Sequence, residues 1–358
     1  MRHAAATLIA TALCLLPLGA PAQGLATAAM EPAAIECPPS PQPLDEERFV
    51  RLGGIEQWIT IKGRSCANPV VLILHGGPGN TMSPYADAIY RDWQDRFTLV
   101  QWDQRSAGKT FGRNPGSAEQ ELTVERMAQD GIELAAYLTR YLGKDKVILV
   151  GGSWSSILGV HMALARPDLL HAYVGVGQIV EYHENETAMY NKLIGLARAA
   201  DDAKTVAALD AIGPPPWSNP RNFGIVRRAT RVYEAKTTTP APESWWTPAP
   251  QYTTPQALAD YEGGEEHSYL QFVGFKGDGM YSRVDLPKLG TRFAIPVFLL
   301  QGAEDLVTTA EVSKRYFDTI EAPRKDYVLL DRTGHDPNQA MVDATLRVLT
   351  GQVVPFIR

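Results

Sequence analysis

The chain has 358 residues, 45% of them apolar, a formal net charge of −6 and three cysteines. That length and apolar content suffice for one large core, or for a core domain carrying an insertion. A mildly acidic chain without a basic tract excludes nucleic acid as an expected partner.

Residues 1–22 come first. Met1-Arg2-His3 is a short basic start, residues 4–20 are apolar, and Ala20-Pro21-Ala22 resembles a leader-peptidase site before Gln23. This predicts a signal peptide cleaved after Ala22 and an exported product, periplasmic or secreted, with no stable membrane association afterwards. The competing reading is an uncleaved anchor, against which stand the short run and Pro17. Cys37 and Cys66 are then the only cysteines of the mature chain. In an oxidising compartment they read as one disulfide, the alternative being two unpaired thiols. Neither has a CxxC partner or a nearby histidine, which argues against metal or redox use.

Residues 23–46 are rich in Ala and Pro and lack periodicity, so an extended tether is expected. Two apolar runs, 49–52 and 55–61, flank Gly53-Gly54 and predict an opening hairpin. The run 69–74 is a buried strand ending in His75-Gly76-Gly77-Pro78-Gly79. A helical segment over 85–93 leads to a second buried strand, 97–102, ending in Asp103-Gln104-Arg105-Ser106. Thr123 is the expected N-cap of a long helix whose apolar stripe runs through Met127, Ile132, Leu134, Ala135, Leu138 and Leu142, with Gly143 stopping it. Strands over 147–150 and 172–177 flank the next helix. Alternating strand and helix predict an α/β fold, a mostly parallel, doubly wound sheet with its site at the carboxyl ends of the strands.

The alternation stops for about 110 residues. Two helices are expected over 181–200 and 201–212. Proline-dense stretches follow, which suit helices joined by stiff loops. Residues 181–288 therefore read as a mainly helical cap between a first core segment, 47–180, and a second, 289–358. In the second segment a strand over 294–300 precedes Glu304-Asp305, a helix starts near Thr309, and a strand over 327–330 precedes His335. Asp336-Pro337 is the expected N-cap and N1 of the last helix.

Between strand and helix lies Gly151-Gly152-Ser153-Trp154-Ser155-Ser156. A serine on such a turn, with very small neighbours, has the form of a nucleophile elbow. A serine hydroxyl needs a base, and the base needs an orienting acid. His335 follows the resumed strands at the expected place and is the candidate base. Asp305 is the candidate acid, preferred to Glu304 because its shorter side chain holds an imidazole with less freedom. Backbone N–H groups of Trp154 and Gly77 are the candidate oxyanion hole. No phosphate-loop or dinucleotide pattern can be drawn through the glycine loop, and no cofactor or metal is expected.

Three segments, His75-Gly76-Gly77-Pro78-Gly79, Asp103-Gln104-Arg105-Ser106-Ala107-Gly108-Lys109-Thr110 and the elbow, together resemble the proline iminopeptidase family of α/β-hydrolases. The resemblance runs from about residue 50 to the end and is weakest in the cap. It implies removal of an N-terminal residue, typically proline, from short peptides, with the free amine held by cap glutamates. Glu265-Glu266-His267-Ser268 resembles the segment carrying one of these, so Glu265 and Glu266 are candidates, as is Glu181, with Glu184 and Glu186 beside it. Ser106 and Ser155 depart from glycines usual in the family, and Asp103 and Arg105 read as structural anchors. The expected function is that of an exported serine hydrolase acting on an N-terminal proline or small apolar residue. The alternatives are an esterase or amidase on small acyl groups, and a non-catalytic binding protein on a hydrolase scaffold.

Overall fold

The computed structural model describes residues 43–116 and 121–357. Continuous apolar runs become the central strands, buried on both faces, and eight strands form one sheet. In chain order these are β1 (Leu44–Leu52), β2 (Ile55–Gly63), β3 (Val70–Leu74), β4 (Thr98–Trp102), β5 (Val147–Gly152), β6 (Leu170–Val176), β7 (Val297–Gly302) and β8 (Lys325–Leu330). Their spatial order is β1-β2-β4-β3-β5-β6-β7-β8. The hairpin β1–β2 and the β2–β4 pair are antiparallel, and all remaining pairs are parallel. Gly53 and Gly54, at φ 54° and 82°, make the two-residue hairpin turn, which needs positive φ at both positions. The first strand starts at Leu44, itself buried, so the expected tether ends three residues earlier than 46. The expected leader at 1–22, Cys37 and the expected tether up to residue 42 lie outside the described residues.

Strand alternation sorts side chains into two cores. Val70, Leu72 and Leu74 of β3 face one, Val71 and Ile73 the other, and in β5 Val147 and Leu149 oppose Ile148 and Val150. On the first face pack α3 (Val124–Tyr141), capped by Thr123, and α4 (Trp154–Ala165) with α10 (Ala310–Thr319). On the second lie α1 (Ala86–Tyr90) and α11 (Gln339–Val348). The short α2 (Gly108–Arg113) follows β4. The chain leaves β3 for β4 on one side and returns to β5 on the other. The carboxyl ends of β3 and β5 therefore flank a topological switch point, where sheets of this kind open a crevice. The N-cap of α11 is Asn338, which accepts the N–H of Met341, and not Asp336. Asp336 instead pairs with Arg227 at 3.2 Å and Arg231 at 3.4 Å.

Between β6 and β7 run α5 (Tyr182–Ala199), α6 (Ala203–Ile212), α7 (Pro220–Glu234), α8 (Pro255–Val273) and α9 (Leu286–Leu289). Helices α5, α6 and α7 share a core of their own around Met189, Leu193, Leu209, Trp217, Val226 and Tyr233. Proline opens α7 and α8 at the first helical position, where its missing N–H costs nothing, with Asn219 and Thr254 as caps. The insertion is pinned at its neck, where Tyr182 donates to the Val284 carbonyl and Leu286 to that of Val180.

Candidate active site

Ser153 sits at φ 52°, ψ −124°, between β5 and α4, a strained backbone for any residue with a side chain. Its N–H is held by the Val176 carbonyl at 2.9 Å. A Cβ at Gly151 would come within 2.7 Å of the Ser155 carbonyl oxygen, so the turn demands glycine there. Ser155 fits without glycine because its hydroxyl is used: it accepts the Gly152 N–H at 2.9 Å and donates to the Leu74 carbonyl at 2.8 Å. That serine thereby ties the elbow to the end of β3.

His335 reaches Ser153 from the loop after β8, with Nε2 2.8 Å from Oγ. Its Nδ1 lies 3.0 and 3.2 Å from the two Asp305 carboxylate oxygens. Donation by Nδ1–H to Asp305 leaves Nε2 as acceptor for the serine proton, the tautomer a general base requires. The Asp305 carboxylate also accepts the N–H groups of Val307 and Thr308, the Thr308 hydroxyl and the Gln301 amide, all at 2.7–2.9 Å. Burial alone would push this carboxyl up. The imidazole and the Thr308 donors outweigh it and hold Asp305 below the usual carboxylate range. Glu304 points elsewhere, toward the Thr237 hydroxyl at 3.4 Å.

The glycine loop borders the serine: a Cβ at Gly76 would stand 3.6 Å from that of Ser153. Gly77, at φ 111°, has no room for a Cβ, which would meet the N atoms of Gly79 and Asn80 at 2.8 Å. His75 holds the loop. Burial drives its imidazole down to about 4, so it is neutral, bonding the Gly76 carbonyl at 2.8 Å and accepting the Gln104 N–H at 3.2 Å. The Gln104 amide bonds the His75 carbonyl and accepts from the Trp154 indole at 3.0 Å. One glutamine thus links the loop carrying Gly77 to the residue after the candidate nucleophile. Arg105 is bound to Asp130 at 2.7 Å, and Asp103 to the Ser83 hydroxyl and the Lys109 N–H, so both act as anchors below the loops.

The cap glutamates separate. Glu265 lies over the glycine loop, accepting from the Asn80 amide at 2.6 Å, and a Cβ at Gly79 would meet its Cα at 2.8 Å. Its neighbour Glu266 is exposed. Glu181 caps α5, one of its carboxylate oxygens accepting the Glu184 N–H at 2.7 Å. Glu184 is paired with Arg315, and Glu186 is buried inside the cap. Sequence reasoning missed Glu234. From the end of α7 this buried carboxylate accepts the N–H of Leu306 at 2.8 Å and of His335 at 3.2 Å. Burial, with Asp305 nearby, raises its pKa. No local pattern marks it, because its partners are 72 and 101 residues away. Among the described residues no group of three or more His, Cys, Asp or Glu side chains is placed to hold a metal ion.

Residues 69–213 match the model of the alpha/beta hydrolase fold family. Over 297 residues the chain is 28% identical to the probable aminopeptidase YbaC of Bacillus subtilis, covering 80% of this chain and 89% of that protein. Over 310 residues it is 26% identical to a probable proline iminopeptidase of Streptomyces coelicolor, covering 80% and 91%. The crystal structure of VinJ superposes with a TM-score of 0.62 at 18% identity, over 88% of this chain and all of that one, a likeness of fold. The chain is a hydrolase with an α/β-hydrolase fold.

Proposed function

Because the chain is a proline iminopeptidase-like α/β-hydrolase, we propose that it is an exported serine aminopeptidase that releases an N-terminal proline or small apolar residue from short peptides. The observation that carries this reading is the continuous contact Ser153–His335–Asp305. His335 takes the Ser153 proton as Oγ attacks the carbonyl, and the N–H groups of Gly77 and Trp154 receive the developing oxyanion. His335 then gives that proton to the leaving amine, and a water activated by the same imidazole hydrolyses the acyl-enzyme. None of these steps draws on a cofactor.

One carboxylate from the cap supports recognition of a free ammonium. Glu265 lies over the glycine loop, beside Gly79 and Asn80. A cation there gains a charge-assisted hydrogen bond that a blocked amine cannot make. The second reading, an esterase or amidase for uncharged acyl groups, draws support from the aromatic wall where Phe272 packs edge-on against Trp154 at 5.4 Å. Export is supported by the apolar stretch 4–20 and the Ala20-Pro21-Ala22 site. A bond from Cys37 to the buried Cys66 would suit that compartment.

An organophosphonate should label Ser153, and Ser153→Ala should abolish both labelling and turnover. Prolyl, alanyl and leucyl arylamides, each with its amine free or acetylated, are then set against short acyl esters. Preference for free aminoacyl substrates supports the peptidase, whereas indifference to acetylation or preference for esters favours the second reading.

A further inference from the structure

Inside the cap, away from the serine, the side chains of Tyr182, Glu186, Trp217, Phe223 and Tyr281 line a cavity of about 20 Å³. It has room for one water-sized group. Glu186 is 2% exposed, and its Oε2 has no hydrogen-bond partner. The Tyr281 hydroxyl faces the same carboxyl, and among the described residues no cationic side chain does. A buried carboxyl half-satisfied in this way is costly, and burial accordingly pushes it up to about 8. Tyr182, Trp217 and Tyr281 are each less than a tenth exposed, and Tyr182 packs edge-on to Tyr281 at 5.0 Å. Aromatic rings and a carboxyl lining one cavity are the groups that recognise a compact cation.

We propose that this cavity is a binding site for a primary ammonium group, held by the Glu186 carboxylate against the rings of Tyr182, Trp217 and Tyr281. The volume suits an –NH3⁺ head and rejects a quaternary ammonium or a guanidinium. Aromatic packing runs from the cavity to the residue after the candidate nucleophile: Phe272 stacks on Tyr281 at 4.5 Å and packs edge-on against Trp154 at 5.4 Å. The ammonium comes either from a side chain of a bound substrate or from a free alkylamine. Only the first source rests on the peptidase reading.

Binding is tested without turnover. Methylammonium chloride is titrated calorimetrically into the full chain carrying Ser153→Ala, with tetramethylammonium chloride and sodium chloride as controls. Saturable binding of methylammonium alone is expected, weakened at least tenfold by a further Glu186→Gln and several-fold by Trp217→Leu. A non-saturable response, or equal binding after Glu186→Gln, would overturn the proposal and leave the cavity as a water site. A second arm identifies the source. The kcat/KM ratio of lysyl to norleucyl arylamide, measured with Ser153 intact, falls on Glu186→Gln if the substrate supplies the ammonium. It stays constant, while methylammonium still binds the chain with Glu186 intact and not the Glu186→Gln variant, if a free amine does.

Discussion

The carboxylate of Glu234 accepts the backbone N–H of His335, so a cap helix holds the loop that presents the candidate base. Its other oxygen holds Leu306, next to Asp305. Around it, Thr239 donates its N–H to the Arg332 carbonyl, and Asn338 bonds the Thr239 carbonyl. Acid loop, histidine loop and cap are joined through one buried side chain. Glu234→Gln keeps the shape but presents an acceptor to only one of the two N–H groups. A buried donor left unpaired costs about 1–3 kcal/mol, so the urea midpoint should fall. Phosphonate labelling of Ser153 should slow with it, because the base loses one of its supports. Unchanged stability together with unchanged labelling would show that the two loops hold themselves.

Glu265 tests the recognition of the amine. Its carboxylate is exposed and bonded to the Asn80 amide, so Glu265→Gln should leave stability within about 0.5 kcal/mol. Loss of the negative charge should raise KM for aminoacyl arylamides about tenfold, the worth of one charge-assisted hydrogen bond, and spare short acyl esters. Equal loss on both substrate types would point to a disturbed glycine loop instead.

Ser106 carries a different kind of strain. It replaces a glycine usual in the resembled family, yet it lies at φ 62°, in the left-handed region, and is fully buried. Its hydroxyl has no hydrogen-bond partner, although its carbonyl receives the Ser268 hydroxyl from α8 at 2.7 Å. Glycine would relieve both the backbone strain and the unsatisfied hydroxyl, against a larger entropy loss on folding. Ser106→Gly should therefore stabilise by about 1 kcal/mol net. Thermal unfolding checks this, and a lower midpoint would show that the side chain packs better than its hydrogen bonding suggests.

How far these features could be read beforehand depends on their range in sequence. Core strands were legible because Val147-Ile148-Leu149-Val150 and its counterparts are buried on both faces, which leaves an unbroken apolar run. The spacing of Ser153, Asp305 and His335 was legible because each follows a strand. The last helix start was misplaced by two residues: Asp336 looks like a cap but is drawn to Arg227 and Arg231 on α7. Glu181 resembled a ligand for an amine but was nearer to a helix N-terminus, where a carboxylate has local donors to satisfy. Helices α7 and α8 were hidden among prolines, and Glu234 with them. Ser155 looked like a defect in the elbow until its two hydrogen bonds placed it as a tie.

Glu186 gives stability a definite pH dependence. Its pKa rises from 4.5 to about 8 on folding, because burial penalises the charged form. Between those values the folded protein holds a proton that the unfolded chain has released. Stability from this group is full below about 4.5, declines as pH rises and is lost once pH passes about 8. Its titratable neighbours, Tyr182, Tyr269 and Tyr281, are all shifted upward from 10, so they do not change charge in this window. Glu186→Gln cannot ionise and should abolish this part of the slope. Urea unfolding of both proteins at pH 5, 7 and 9, without added amine, should show the variant gaining on the parent chain at each step. Parallel curves across that range would mean that Glu186 ionises inside the folded cap at its ordinary pKa, with a partner or water supplying what the cavity lacks.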